Sequence, residues 1–396
     1  MKKPIPRVWL FVILFAAIVI AHIIVLRIVI RGERENAPSP EPVKTQEVGT
    51  ANGKPTAPVP QAAGKNPQTQ TGDEKEQPGF WRRLFGGGKS SGTPTPTVKP
   101  PEPVTPPEPA FRYRKPSDNP FFGAPLNFSH ALHGNPPIKL SPPLKGTCST
   151  GIIVDMDTRK VLWEKKSNQP VPVASMVKMM TMLLTAEAME RTGKPSLDDR
   201  ITITRTVMQV KRTGVLWLTP GEVFTMRELM LGIAVKSAND AATQVAEVVS
   251  GDVDSFVRSM NARAKELHLD SMKFYNPCGL PDKRGRNAVS SAADMVLLGE
   301  RLLEYPFLIE MCSTLKGTIR GGNTVFVNTN KLINPHYPGV DGLKTGFINK
   351  SGFCLTFSVL RDERRIMGCV TGFSNASDRD RFCRKLIDWA YSQPGK

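Results

Sequence analysis

The chain has 396 residues and a formal net charge of +17, and 40% of its residues are hydrophobic. This length allows two or three domains. The charge invites a nucleic-acid partner, but the Lys and Arg residues are scattered, and no nucleic-acid-binding motif accompanies them. We therefore predict no nucleic-acid partner, because a basic surface facing an anionic envelope or cell wall explains the charge as well.

The N-terminus predicts a membrane anchor. Basic residues precede an uncharged apolar run over residues 8–26. This run is long enough to span a bilayer as a helix, whereas a cleavable signal peptide has an apolar core of ~7–15 residues. No A-x-A-like site follows the run, although Ala16 and Ala17 leave cleavage open. We predict a cytoplasmic tail and transmembrane signal-anchor over residues 1–31, with the remainder outside the cytoplasm.

A proline-rich segment follows the anchor. Of the 35 prolines, 23 lie within residues 32–145. Such a segment buries too little apolar surface to offset the entropy lost on ordering, so we predict a disordered linker over 32–145. The remaining residues, 146–393, are enough for one domain with a sizeable core.

The pattern of apolar residues in that domain predicts strands, then helices, then strands and a closing helix. This order is typical of a mixed α/β chain of the α+β type, whose terminal strands share one antiparallel sheet. For the last helix, Ser377 is the predicted N-cap. The predicted strands cover 147–155, 160–165, 341–347, 352–360 and 364–372, and the predicted helices cover 174–191, 225–235, 239–249, 253–267, 291–303 and 377–391.

The six cysteines all lie in the predicted domain, from Cys148 to Cys383. An exported domain permits disulfides, but the spacing selects none of the 15 possible connectivities. No C-x-x-C occurs, so we predict no zinc site, and nothing in the sequence calls for a metal or a cofactor.

Three short motifs are the candidates for chemistry. Ser175-Met-Val-Lys178 heads an apolar helix, where residues three apart lie on one face, so the lysine amine can reach the serine hydroxyl. Ser237-Ala-Asn239 and Lys344-Thr-Gly346 follow in that order. A second S-x-x-K, Ser313-Thr-Leu-Lys316, lies after the S-x-N element and heads no comparable helix, so we interpret it as coincidental. Together the three ordered motifs are those of penicillin-binding proteins and class A β-lactamases.

On these motifs the chain resembles low-molecular-mass penicillin-binding proteins of the serine D-alanyl-D-alanine carboxypeptidase group. The resemblance covers about residues 147–389. It implies a β-lactamase/transpeptidase-like fold, with an antiparallel sheet flanked by helices and a site between the sheet edge and a helical subdomain. Further matching stretches are Asn276-Pro-Cys-Gly-Leu280, Ser291-Ala-Ala-Asp294, Asn328-Thr-Asn-Lys-Leu332 and Gly339-Val-Asp-Gly-Leu343.

The resemblance implies catalytic roles that suit the residue types. Ser175 is the nucleophile, and Lys178 is its base if burial and the nearby cation of Lys344 keep it neutral. Ser237 passes a proton to the departing amine. The amide of Asn239 orients substrate and Lys178.

Substrate binding is assigned to the same motifs and the residue after them. Lys344 and Thr345 suit the free carboxylate of a C-terminal D-alanine. Gly346 lets the substrate backbone lie close to the strand edge. By resemblance, the backbone N–H of Phe347 joins that of Ser175 in an oxyanion hole. Cys278 stands where many relatives have histidine, and we predict a packing role for it.

The predicted activity is removal of the terminal D-alanine from peptidoglycan stem peptides that end in D-Ala-D-Ala, with β-lactams as covalent inhibitors. The predicted location is the bacterial inner membrane, with the enzyme on its periplasmic side. A D,D-endopeptidase, a β-lactamase and a non-catalytic wall-binding module are the alternatives. A β-lactamase would require a glutamate that activates a water for deacylation. The candidate acids Glu247 and Glu266 fall on predicted helices.

Overall fold

The computed structural model describes residues 114–144, 147–211 and 213–395. These residues all belong to one compact unit, Lys99–Lys396. The predicted anchor, 1–31, and the first part of the predicted linker lie outside the described residues. Among the helices of the described residues, none combines the length and the apolar character needed to cross a bilayer.

Twelve strands and seven α-helices form the described part of the chain. The strands are β1 Leu132–His133, β2 Thr150–Asp155, β3 Lys160–Lys165, β4 Val171–Pro172, β5 Arg200–Thr202, β6 Val223–Thr225, β7 Val289–Ser290, β8 Lys316–Ile319, β9 Thr324–Val327, β10 Val340–Ile348, β11 Gly352–Arg361 and β12 Arg364–Phe373. The helices are α1 Lys178–Thr192, α2 Met226–Leu231, α3 Asn239–Ser250, α4 Val253–Glu266, α5 Ala292–Leu302, α6 Pro306–Ser313 and α7 Ala376–Ser392.

One six-stranded sheet organises the unit, in the order β1-β3-β2-β12-β11-β10. All neighbours are antiparallel except β1, which runs parallel to β3. The early hairpin β2–β3 therefore meets the late strands β10–β12 in one sheet, as the sequence predicts. Strand β10, which carries Lys344-Thr-Gly346, lies at an edge.

The two faces of the sheet support separate apolar cores. Ile152 and Val154 point into the larger core, formed with the helices from α1 to α6, whereas Ile153 between them points into the other. This alternation is the period of two expected of a strand. On the second face α7 packs its Phe382 ring 5.9 Å from Trp163 and 5.2 Å from Phe373. All six cysteines are buried and free.

Two helix ends differ from the prediction. The N-cap of α7 is Asn375, whose side chain accepts from the Asp378 N–H at 2.8 Å. The prediction of Ser377 as the N-cap is therefore wrong, and Ser377 lies within the first turn. The helix predicted over 225–235 is regular only to Leu231, and a π-helical turn, Gly232–Lys236, completes it. Helix α6 and the hairpin β8–β9 were not predicted.

Residues 114–144 pack on the domain, whereas the sequence predicts a disordered linker as far as 145. Strand β1 extends the sheet beside β3. The Asn119 side chain donates to the Met156 carbonyl at 2.9 Å, and the buried Arg159 guanidinium donates to the Ala124 carbonyl. The ordered part of the chain therefore begins well before 146.

Candidate active site

Ser175 lies on a 3-10 turn, Ala174–Val177, that leads directly into α1. The backbone of this turn is unusual, since Ala174 has a positive φ of 48°, a conformation that residues other than glycine seldom adopt. Gly279, with φ 83°, faces this turn so closely that a Cβ on it would lie 2.0 Å from the Ala174 carbonyl oxygen. Ser175 itself is half-buried, so its hydroxyl is within reach of a substrate.

Lys178 lies one turn after the serine and is fully buried. Its Nζ atom is 3.1 Å from Ser175 Oγ, 2.7 Å from Asn239 Oδ1 and 2.6 Å from the Cys278 carbonyl oxygen. The amide and carbonyl oxygens can only accept, whereas the serine hydroxyl can also donate. A neutral Lys178 would therefore donate one hydrogen bond to Asn239 Oδ1 and one to the Cys278 carbonyl, and would turn its lone pair to the Ser175 hydroxyl.

Burial lowers the pKa of Lys178 from its ordinary value of 10.5 to about 8, against the opposing pull of Cys278 and Asp240. Burial also lowers the pKa of Lys344 to about 7, and the charge of Lys178 adds to that effect. The direction for Lys178 agrees with the prediction. Of the two predicted causes, burial is confirmed, whereas the charge repulsion between the two amines lowers the pKa of Lys344 and is not among the causes at Lys178.

Asn239 and Ser237 sit where the π-helical turn meets α3. Ser237 is half-buried, with a left-handed backbone of φ 65° and ψ 36°. The Asn239 amide nitrogen donates to the Thr213 carbonyl at 2.6 Å, and its backbone N–H donates to the Gly214 carbonyl at 2.7 Å. The bond to Thr213 fixes which way the side-chain amide faces and so aims its oxygen at Lys178, whereas the bond to Gly214 holds the backbone.

The third motif approaches from the sheet edge. Lys344 is fully buried, and its Nζ donates to the Thr345 carbonyl at 3.3 Å. The Thr345 hydroxyl donates to the Thr329 hydroxyl at 2.8 Å. A Cβ at Gly346 would lie 2.6 Å from the Val173 carbonyl oxygen. The glycine thus lets β10 approach the turn of Ser175, and the substrate contact predicted for Gly346 remains a prediction.

Comparison with known proteins places this geometry in a family. A family model described as D-alanyl-D-alanine carboxypeptidase matches residues 139–375. The D-alanyl-D-alanine carboxypeptidase DacF of Bacillus subtilis is 36% identical over 273 residues, 68% of this chain and 68% of that protein. The chain belongs to the D-alanyl-D-alanine carboxypeptidase family.

Two further proteins are similar to this chain. A D-alanyl-D-alanine endopeptidase of Pseudomonas aeruginosa is 30% identical, over 58% of this chain and 73% of its own length. The solved structure of penicillin-binding protein D2 from Listeria monocytogenes, in its cefotaxime-bound form, is 27% identical with a TM-score of 0.58, and covers 65% of this chain and 100% of that one. The predicted family, fold class and serine-type carboxypeptidase activity are confirmed.

The second S-x-x-K of this carboxypeptidase does not form a comparable pair. Ser313 ends α6 and donates its hydroxyl to the Glu310 carbonyl at 3.1 Å. Lys316 opens strand β8 and is exposed. The two side chains therefore do not share a helix face, which agrees with the interpretation of this motif as coincidental.

The end of β10 is open to solvent. Phe347 is 50% exposed, and its ring stacks on Phe353 with centroids 4.1 Å apart. The role predicted for Phe347 concerns its backbone N–H and remains a prediction.

Several residues of the carboxypeptidase site act through backbone atoms and escape motif analysis. The Cys278 carbonyl accepts from Lys178, while its thiol is buried and donates to Asn276 Oδ1 at 3.2 Å, in line with the predicted packing role. Thr213 contributes its carbonyl, which accepts from the Asn239 amide. The stretch 276–280 stood out in the sequence, but the contact made by a carbonyl leaves no signal in residue type.

Proposed function

We propose that this carboxypeptidase removes the terminal D-alanine of peptidoglycan stem peptides through an acyl-enzyme on Ser175, with Lys178 as the base. One observation carries the proposal. The Lys178 amine is buried, its pKa is lowered by that burial, and the hydroxyl of Ser175 is the one among its three close partners that can donate a proton to it.

In the acylation step, Ser175 Oγ bonds to the carbonyl carbon of the penultimate D-alanine as its proton passes to Lys178 Nζ. The peptide C–N bond then breaks, and the departing D-alanine nitrogen takes a proton from Lys178 by way of the Ser237 hydroxyl. The products of this step are free D-alanine and a serine ester. Water then attacks the ester, gives its proton to Lys178, and releases the shortened peptide while Ser175 Oγ regains a proton.

Recognition of the substrate terminus falls to the sheet edge in this proposal. The free carboxylate of the last D-alanine would pair with the Lys344 ammonium and accept from the Thr345 hydroxyl, which would turn its proton away from Thr329 and accept from the Thr329 hydroxyl instead. A carboxylate there raises the pKa of Lys344, which its buried site otherwise lowers. The Lys344 cation thus formed would favour the neutral form of Lys178.

The test uses the wild-type chain and Ser175→Ala, each incubated with a labelled penicillin and with a peptide ending in D-Ala-D-Ala. Long-lived labelling together with D-alanine release, both dependent on Ser175, is the expected result. Rapid hydrolysis of the penicillin by the wild type would point to a β-lactamase instead. The absence of any Ser175-dependent reaction would refute both enzymatic functions.

Cleavage of D-Ala-containing cross-links is a second candidate, favoured by the similarity to the endopeptidase of Pseudomonas aeruginosa. Both reactions use the same acyl-enzyme and differ in the leaving amine. A cross-linked peptide dimer, offered beside a D-Ala-D-Ala peptide, distinguishes the two by its monomeric product.

We also propose that residues 1–31 hold the enzyme in the inner membrane as a single-pass anchor, with the domain on the periplasmic side. The apolar run over 8–26 and the basic residues before it support this location. Removal of 1–31 should release the protein from the membrane fraction. Persistence of the truncated chain in that fraction would contradict the proposal.

A further inference from the structure

Asp240 carries a buried carboxylate beside the second motif. It follows Asn239 in the first turn of α3, and only 3% of it is exposed. Its oxygens accept from the Leu216 N–H at 3.0 Å and from the Leu218 N–H at 3.1 Å. Burial of a carboxylate is costly unless hydrogen bonds replace the lost water. The reaction proposed above makes no use of this group.

The two N–H groups belong to an irregular segment, residues 213–219. This segment forms neither a helix nor a strand, so its backbone groups need partners elsewhere. Asp240 supplies an acceptor for two of its N–H groups, those of Leu216 and Leu218, whose side chains are buried in the larger core. The carboxylate therefore clamps the segment onto the start of α3.

The same segment holds Asn239. The Thr213 carbonyl accepts from the side-chain amide of Asn239 at 2.6 Å, and the Gly214 carbonyl accepts from its backbone N–H at 2.7 Å. A Cβ on Gly214 would lie 3.3 Å from Asn239 Nδ2, so the two residues are in close contact. Asn239 Oδ1 in turn accepts from Lys178 Nζ at 2.7 Å. A short chain of contacts thus joins the Asp240 carboxylate to the Lys178 amine.

We propose that Asp240 is a positioning residue for acylation, because it clamps the segment that orients the Asn239 amide toward Lys178. Within the described residues, its side-chain hydrogen bonds go only to backbone N–H groups, so it acts through Asn239. Asn239 must present its oxygen to Lys178 if the lysine is to keep its lone pair on the Ser175 hydroxyl. This inference rests on the proposed function, in which Lys178 is the base.

The charge of Asp240 gives the clamp a second effect. The ionisable groups that face Lys178 are Lys344 from β10, the Cys278 thiol from its loop and Asp240 from α3. Burial lowers the pKa of Lys178, and Cys278 and Asp240 oppose that effect. Burial raises the pKa of the Cys278 thiol, so Asp240 is the anion to remove in a test. Loss of its charge should lower the pKa of Lys178 further, whereas loss of a remote structural contact should not.

The test measures acylation of the full chain by saturating labelled penicillin from pH 5 to 9, in wild type and Asp240→Asn. Asparagine keeps the shape of the side chain and one acceptor but removes the charge. We expect the rate on the alkaline plateau to fall about tenfold, because a small displacement of a group that orients the base is costly. The apparent pKa of the profile should also move to lower pH.

A double-mutant cycle shows whether Asp240 acts through Asn239. In an Asn239→Ala background the clamp has no amide to orient, so Asp240→Asn should lower the rate much less than it does in the wild type. Equal losses in the two backgrounds would overturn the proposal and make Asp240 a purely structural residue. A wild-type rate and profile in Asp240→Asn would equally overturn it.

Asp252→Asn is the matched control. Asp252 also lies at the start of a helix, α4, and accepts from a backbone N–H, that of Ser255 at 2.7 Å, but it is exposed. This variant should keep the wild-type rate and pH profile. A loss in Asp252→Asn equal to that in Asp240→Asn would mean that any carboxylate at a helix start has this effect, and would overturn the proposal.

A separate measurement keeps this inference distinct from the proposed function. Hydrogen exchange of the Leu216, Leu218 and Asn239 backbone amides is compared in the full chain of wild type and Asp240→Asn. Faster exchange at all three amides in the variant supports the clamp even if penicillin labels neither protein, which would refute only the proposed function. Unchanged exchange at the Asn239 amide would overturn the clamp.

Discussion

Lys178 and Lys344 are two buried amines from which the proposed reaction requires opposite protonation states. Lys178 must be neutral to accept a proton, and Lys344 must be charged to hold a carboxylate. In the free enzyme burial lowers the pKa of both, to about 8 and about 7. Because the charge of Lys178 lowers the pKa of Lys344, the two titrations are coupled, and a carboxylate bound at Lys344 would favour the charged form of Lys344 and the neutral form of Lys178.

The first prediction concerns the pH dependence of acylation at saturating labelled penicillin. Deprotonation of Lys178 should make the acylation rate rise with pH through an apparent pKa at or below about 8. A rapid-mixing assay from pH 5 to 9 measures it. Lys178→Arg retains a charge that cannot be lost, so its rate should be lower by about 10²-fold or more throughout. A flat wild-type profile would rule out Lys178 as the titrating base.

The second prediction concerns stability. Lys344 is fully buried with one long hydrogen bond, so Lys344→Met should raise the free energy of unfolding at pH 7 by ~1–3 kcal/mol while weakening carboxylate binding. Between pH 7 and 10.5 the unfolded wild type binds the extra proton, so wild-type stability increases with pH and the advantage of the variant shrinks.

Urea unfolding of both proteins at pH 7 and at pH 10 measures this difference. Lys316→Met is the control, because Lys316 is exposed and its replacement relieves no desolvation. An advantage of Lys344→Met that grew with pH would contradict the assigned cause.

At the scale of elements, the loop over residues 276–280 contacts both helix α1 and the turn that carries Ser175. Asn276 folds it by accepting from the Gly279 N–H at 2.7 Å and donating to the Leu280 carbonyl at 2.7 Å. Thr181 on α1 donates to the Pro277 carbonyl at 2.7 Å. The loop therefore positions two things at once, the carbonyl that binds Lys178 and the glycine that packs on the turn of Ser175.

The third prediction tests that packing with a pair of glycines. Gly279→Ala adds a Cβ 2.0 Å from the Ala174 carbonyl oxygen at a φ of 83°, so the turn of Ser175 must move. We expect a loss of acylation rate of about 10²-fold, since misplacement of a nucleophile by ~1 Å has effects of that size. The rate of labelling by penicillin measures it.

Gly285→Ala provides the matched control, because Gly285 has a similar φ of 74° but open space around it. It should lose stability only through backbone strain, by ~1–2 kcal/mol, and keep its rate of acylation. Equal rates of acylation in the two variants would mean that the packing of Gly279 does not place Ser175.

Sequence patterns were sufficient for the regular elements and for the order of the motifs. The apolar stretches of β11 and β12 and the apolar run of α1 are local signals. The cap of α7 could not be chosen, because Asn375 and Ser377 are both good capping residues two positions apart. The carbonyl of Cys278 and the close approach of Gly279 depend on tertiary packing, which no local pattern encodes.

For the molecule as a whole, residues 114–144 belong to the folded domain, which therefore begins earlier than the sequence predicts. Averaged composition over 32–145 concealed the point after which Phe and Leu recur among the prolines, as at Phe122, Leu126 and Phe128. The Arg301 guanidinium lies 4.4 Å from the centre of the Phe122 ring, and Leu126 and Phe128 pack against the larger core. The tether predicted between anchor and enzyme is correspondingly shorter at its C-terminal end.

The last prediction follows from that packing. A chain that starts at 146 lacks β1, so β3 becomes an edge strand, and the buried Arg159–Glu300 pair loses the Ala124 carbonyl to which Arg159 also donates. The loss of this hydrogen-bond partner and of the strand pair should together lower the free energy of unfolding by ~2–4 kcal/mol, relative to a chain that starts at 114. For a unit of this size the melting temperature should fall by roughly 5–15 °C.

A chain that starts at 99 serves as the control and should melt with the one that starts at 114. The chains that start at 114 and at 146 should both still be labelled by penicillin at 25 °C, because the contacts of Lys178 come from Ser175, Asn239 and Cys278, all after residue 146. Coincident melting of the chains starting at 114 and 146 would make the segment a passive covering. A lower melting temperature with retained labelling would instead make it part of the folded enzyme, stabilising the sheet on the side away from β10.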